Sequence, residues 1–94
     1  MGGWVYIMTN KRDGVLYIGV TADLPARMLQ HKEGTGSAFC RRYGVDRLIY
    51  AERHDEIADA IAREKAMKAW KRALKVELIE TVNPEWEDYF ERLA

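Results

Sequence analysis

The sequence has little cysteine and proline and no long apolar run: one cysteine, Cys40, and two prolines, Pro25 and Pro84. A lone thiol cannot close an internal disulfide, which predicts a reducing, cytoplasmic setting. Cys40, His31 and His54 fall at no spacing that suits zinc. Nothing approaches the roughly 20 apolar residues that cross a bilayer, so no membrane span is expected. The start "MGGWVY" lacks the basic and hydrophobic regions of a signal peptide. No internal repeat or low-complexity linker interrupts the chain, and 94 residues suit one domain over 1–94.

Net charge is absent too, with 15 Lys and Arg against 15 Asp and Glu. The balance conceals an asymmetry. Residues 76–94 carry one base and six acids, which leaves 14 bases and 9 acids in residues 1–75. A basic body with an acidic tail is compatible with a polyanionic ligand. Such charge runs are more often solvated helix faces.

Alternation predicts strands over Trp4–Thr9 and Val15–Val20, with turn residues "NKRDG" between them. Val5 and Ile7 share one face, as do Leu16, Ile18 and Val20, and these faces are expected against the core. If Thr9 pairs with Gly14, Tyr6 stands directly across from Tyr17 on the other face. "TADLPARMLQHKEG" reads as a helix capped by Asp23, with Pro25 in its first turn and Gly34 at its end. "GTGSAFCRRYG" reads as a basic loop, and "DRLIYAE" as a third strand. Residues 55–80 read as helix with an apolar stripe that shifts, so a break is expected near Ala69–Arg72. Asn83-Pro84 interrupts the chain, and "EWEDYFERL" is expected as a short last helix. The expected class is α+β: a small three-stranded antiparallel sheet flanked by helices, in the order ββαβαα with a short C-terminal helix.

Three groups of residues stand out chemically. Leu24, Arg27, Met28 and His31 follow helical spacing on one side of the first helix, which sets Arg27 and His31 at the edge of the core. Such a pair either binds one phosphate or is a snorkelling arginine with a histidine favourably near the helix C-terminus. Glu64 is the one acid among Arg63, Lys65, Lys68, Lys71, Arg72 and Lys75, and lies in line with Ile57 and Ile61. It either pairs with Lys68 one turn on or offers a hard oxygen to Mg²⁺. Asn83 before Pro84 is a natural helix cap. Arg41 and Arg42, beside Phe39 and Tyr43, suit contact with a nucleic-acid backbone together with some stacking.

Taken in order, "VYI" at 5–7, "YIG" at 17–19, Arg27, His31, Glu64 and Asn83 resemble the GIY-YIG nuclease family. The likeness is to its short stand-alone members, with Trp4 where the first triplet has glycine. The resemblance implies metal-dependent hydrolysis of a DNA phosphodiester, with Mg²⁺ or another divalent cation such as Mn²⁺ as cofactor. It implies Tyr6, Tyr17, Arg27, His31, Glu64 and Asn83 as the catalytic set, with Glu64 holding the metal. Tyr6 would activate water and Arg27 would neutralise phosphate. A phenol of ordinary pKa near 10 is a poor base, so nearby Mg²⁺, Arg27 and basic side chains are expected to lower that value. Gly19 is expected to leave room for the nucleic-acid backbone, with Arg41, Arg42, Lys68, Lys71 and Arg72 as further contacts. DNA is the expected partner, with RNA, a protein partner and a homodimer left open. The alternatives are a non-catalytic nucleic-acid-binding module of the same fold, or an interaction domain docking through Trp86, Tyr89, Phe90 and the acidic tail.

Overall fold

The computed structural model describes residues 1–93. Its elements are β1 (Gly3–Thr9), β2 (Leu16–Thr21), α1 (Leu24–Lys32), α2 (Ala38–Tyr43), β3 (Arg47–His54), α3 (Ile57–Ala69) and α4 (Arg72–Val82), then a 3-10 turn at Phe90–Leu93. The three strands form one antiparallel sheet in the order β2-β1-β3, the α+β arrangement expected.

The β1–β2 turn decides the register. Asn10 accepts a hydrogen bond from the backbone of Val15 (2.9 Å), the Gly14 N–H reaches the Lys11 carbonyl (2.9 Å), and Asp13 takes a left-handed φ of 59°. These bonds occupy residues 10 to 15, so Thr9 pairs with Leu16 rather than with Gly14. Tyr6 therefore stands across from Gly19, and Met8 across from Tyr17. The expected register is corrected by two residues. Because side chains alternate with a period of two, this slip leaves both tyrosines on the same face.

Each face of the sheet carries a core. Val5, Ile7, Ile18, Ile49 and Tyr50 pack with Ala60 and Met67 of α3, Ile79 of α4 and Trp86, as the aliphatic alternation predicts. On the other face, Tyr6 and Met8 pack with Leu24 and Met28 of α1, Cys40 of α2, Val45 and Leu48. Burial of apolar area at roughly 25 cal/mol per Å² makes these two layers the main term holding helices to sheet.

Local chemistry sets the helix ends. Asp23 accepts from the Ala26 N–H (3.1 Å) to start α1, with Pro25 inside its first turn. The segment expected as loop contains α2, six residues between a Ser37 cap and Gly44 at φ 65°. The expected break falls at Trp70 and Lys71, whose extended backbone separates α3 from α4.

The end of the chain departs from expectation. Residues 83–89 are irregular, and only Phe90–Leu93 turn. Trp86 is fully buried with a φ of 57°, and its indole N–H donates to Glu80 (2.8 Å). The Tyr89 N–H reaches the Leu48 carbonyl (2.7 Å), and Asp88 bonds the Leu48 N–H (3.1 Å) and Lys32 (2.6 Å). Desolvation works against the Asp88 charge, but Lys32 and the Phe90 and Leu48 amides outweigh it and hold the carboxyl below its usual range. Trp86, Tyr89 and Phe90 are thus packed against β3 and α1 rather than set out for a partner.

Candidate active site

Tyr6 is in the central strand, and its ring crosses the face of Gly19 on β2. A Cβ at position 19 would fall on the Tyr6 ring and hydroxyl. The room that Gly19 makes is therefore filled by a tyrosine, which corrects the expectation that a nucleic-acid backbone uses it.

The Tyr6 hydroxyl accepts a hydrogen bond from Nε of Arg27 (3.3 Å) and lies 3.2 Å from Nε2 of His31. One turn of α1 separates those two residues, so the helix delivers both to a single oxygen. Tyr17 closes the group, with its ring 6.3 Å from that of Tyr6 and 5.7 Å edge-on from that of His31. Burial falls outward: Tyr6 is 1% exposed and His31 5%, while Tyr17 and Arg27 are half-buried.

This environment sets the protonation states. Burial pushes the Tyr6 phenol up to about 12, against the opposing pull of the Arg27 hydrogen bond. In the protein alone, Tyr6 therefore holds its proton at neutral pH. Burial, and secondarily the Arg27 charge, lower His31 from its ordinary value, so its imidazole is neutral there. The loop after α1 presses on that ring, since a Cβ at Gly36 would come within 2.6 Å of Nδ1. Among the described residues, His31 Nδ1 is the one buried side-chain polar atom without a hydrogen-bond partner.

The remaining predicted residues are elsewhere. Glu64 is on α3, which packs against the opposite face of the sheet, and pairs with Lys68 one turn on (3.0 Å). Its side chain is only 13% exposed. Among the described residues no group of three or more His, Cys, Asp or Glu is gathered as a metal cage. A single carboxylate still fits Mg²⁺, which keeps water and substrate phosphate in its shell. Asn83 does not join the cluster. It is buried as the C-cap of α4, donating to the carbonyls of Ile49 and Glu87 (2.9 Å each) and accepting from the Glu87 N–H (3.0 Å). With these three bonds it pins the C-terminal segment to β3.

Arg41 and Arg42 are exposed on α2, and Lys68, Lys71 and Arg72 are exposed around the α3–α4 break. Arg72 also donates to the Gly14 carbonyl (2.7 Å), tying that break to the hairpin turn. Trp4 is half-buried on the tyrosine face, lining a pocket of about 320 Å³ with Leu24, Leu48 and Tyr89. The sequence singles out Phe39 beside the arginines but not its contact with Tyr17, on which its ring stacks at 6.0 Å and 27°. Ser37 and Gly44 are the available signal, since together they frame the short helix that sets Phe39 beside Tyr17.

The family model for the GIY-YIG catalytic domain matches residues 2–77. The chain belongs to the GIY-YIG family. GIY-YIG domains form a family of nucleases, and the match takes in Tyr6, Tyr17, Arg27, His31 and Glu64 but stops short of Asn83. Among relatives of this GIY-YIG chain, the UPF0213 protein of Staphylococcus saprophyticus is 33% identical over 76 residues, 81% of this chain and 92% of that protein. A UPF0213 protein of Staphylococcus epidermidis is 31% identical over 77 residues, covering 82% and 93%. The solution NMR structure of a UPF0213 protein from Bacillus halodurans superposes with a TM-score of 0.59 at 27% identity, covering 97% of this chain and 96% of that one. No helix among the described residues is long and apolar enough to cross a membrane.

Proposed function

We propose that this GIY-YIG chain is a divalent-metal-dependent endonuclease that hydrolyses DNA phosphodiester bonds. The observation that carries the reading is the Tyr6 hydroxyl, held between the Arg27 guanidinium and a neutral His31 with Tyr17 alongside. A core tyrosine needs one hydrogen-bond partner; this one has two, and both lead toward proton and anion chemistry.

Arg27, half-buried at the rim, is the first group to meet a phosphate, and its planar fork suits a pair of non-bridging oxygens. Its Nε covers the Tyr6 hydroxyl. When the guanidinium turns to the phosphate, that hydroxyl is uncovered to the attacking water. With a pKa of about 12, Tyr6 does not store a phenolate. It takes the water's proton while handing its own to Nε2 of His31, whose lowered pKa leaves that lone pair free at neutral pH. Tyr17, half-exposed beside Arg27, steadies the phosphate through its hydroxyl. Glu64 would hold the Mg²⁺ or Mn²⁺ ion for a substrate that passes the edge strand β2, which carries Tyr17 on one face and packs against α3 on the other. The ion would supply charge relief at the phosphate and at the departing oxygen. Lys68, now paired with Glu64, would be released to the nucleic acid.

The test is incubation of the purified protein with supercoiled and branched DNA, in Mg²⁺ or in EDTA. Metal-dependent nicking that Glu64→Ala abolishes supports the enzyme. Salt-sensitive binding with no cutting supports the alternative, a nucleic-acid-binding module of the same fold.

A further inference from the structure

Helix α2 leaves two large aromatics in solvent, Phe39 at 41% exposure and Tyr43 at 46%. They are one turn apart, with rings 4.8 Å centroid to centroid. Phe39 in turn stacks on Tyr17, which touches Tyr6 and His31. A file of rings therefore runs without a gap from the buried hydroxyl of Tyr6 to the surface. The surroundings are basic: Arg41 and Arg42 are exposed on the same short helix, the Arg42 guanidinium lies 5.4 Å from the Tyr43 ring centre, and residues 35–45 contain no acid.

Exposed aromatic area beside cations, continuous with a site that takes a phosphate, matches what a nucleobase and its backbone offer together. Base-on-aromatic stacking tolerates any base but needs a free face, which a base inside a duplex lacks. Resting on the nuclease reading above, we propose that Phe39 and Tyr43 stack an unpaired base next to the phosphate at Arg27 and Tyr17. The substrate class is then nucleic acid with an unpaired base beside the cut. Arg41 and Arg42 neutralise the phosphates on its flank.

The test uses a short single-stranded oligonucleotide carrying 2-aminopurine, titrated with the full chain in EDTA so that nothing is cut. Stacking on Phe39 or Tyr43 quenches the 2-aminopurine. The Phe39→Leu/Tyr43→Leu variant, which keeps apolar cover over Tyr17, loses the quench and weakens binding on the order of tenfold per stacked base. The Phe39→Tyr/Tyr43→Phe variant, ring for ring, retains both. Equal quenching and affinity in the leucine variant and the parent would overturn the proposal, as would tighter binding to the matching duplex. Because this readout needs no metal, it separates the two claims. A quench without any Mg²⁺-dependent cutting keeps the stacking surface and removes the nuclease reading.

Discussion

Gly19 and Tyr6 face each other across the β1–β2 pair so closely that the glycine's missing side chain is the space the phenol occupies. The "YIG" glycine of this chain thus serves the tyrosine of the other strand. Gly19→Ala is expected to push the Tyr6 ring off Arg27 and His31. Overpacking of this kind costs about 1–3 kcal/mol, and displacing the hydroxyl by about 1 Å should cost on the order of a hundredfold in cutting rate. Chemical denaturation and plasmid nicking on the same sample measure both. Full activity in Gly19→Ala would show that the close approach is unrelated to the chemistry.

Asn83 yields the opposite pattern. Its three hydrogen bonds are all to backbone at the β3 side of the molecule, and it is 2% exposed. Asn83→Ala leaves the buried Ile49 carbonyl without its partner, at about 1–3 kcal/mol, and also loses the two part-buried bonds to Glu87. The urea midpoint should fall, while the nicking rate at low temperature stays within a few-fold of the parent. A large loss of rate with an unchanged midpoint would keep Asn83 in the catalytic set.

The pH dependence of stability follows from the raised phenol. Tyr6 titrates near 10 when unfolded and at about 12 when folded. The unfolded chain therefore ionises first, and stability present below pH 10 is lost as pH climbs from 10 toward 12. Tyr50, also pushed up to about 12 by burial and by its bond to Glu52, adds to the same loss. Tyr6→Phe should flatten part of this alkaline decline in thermal melting and leave the Tyr50 share in place. An identical decline in parent and variant would contradict the buried, protonated phenol.

His31 sets an acid limb for activity. Its folded pKa lies below the ordinary 6.5, so cutting should hold steady through neutral pH and fall only as the imidazole protonates below about 6.5. The same sign applies to stability, since the unfolded chain takes up the proton first and folding weakens as pH falls through that range. A rate profile that already declines at pH 7.5 would contradict a neutral, buried His31.

Much of this was legible in the sequence because periodicity reports faces. Val5 and Ile7 on one side and Tyr6 on the other needed only alternation, and the spacing of Arg27 and His31 needed only a helix. The exact pairing did not follow, because the hairpin loop is held by the side chain of Asn10, and a turn of that kind moves the register by two without altering the faces. Helix α2 was hidden because six residues are too few to display a period. The closing segment has the composition of a helix, whereas the Asn83 bonds and the left-handed backbone at Trp86 draw it over β3 instead. The raised Tyr6 pKa depends on α1 and α2 closing over the phenol, which is a property of packing and not of spacing.

In the proposed reaction the Tyr6 hydroxyl, between Arg27 and His31, carries the proton step of phosphodiester cutting. The most direct measurement is the single-turnover nicking rate of Tyr6→Phe beside the parent, in Mg²⁺ at neutral pH. The substitution removes one oxygen and keeps the ring that fills the space over Gly19. A fall of at least a hundredfold with near-parental melting is the predicted result. Nicking at the parental rate by Tyr6→Phe would contradict it.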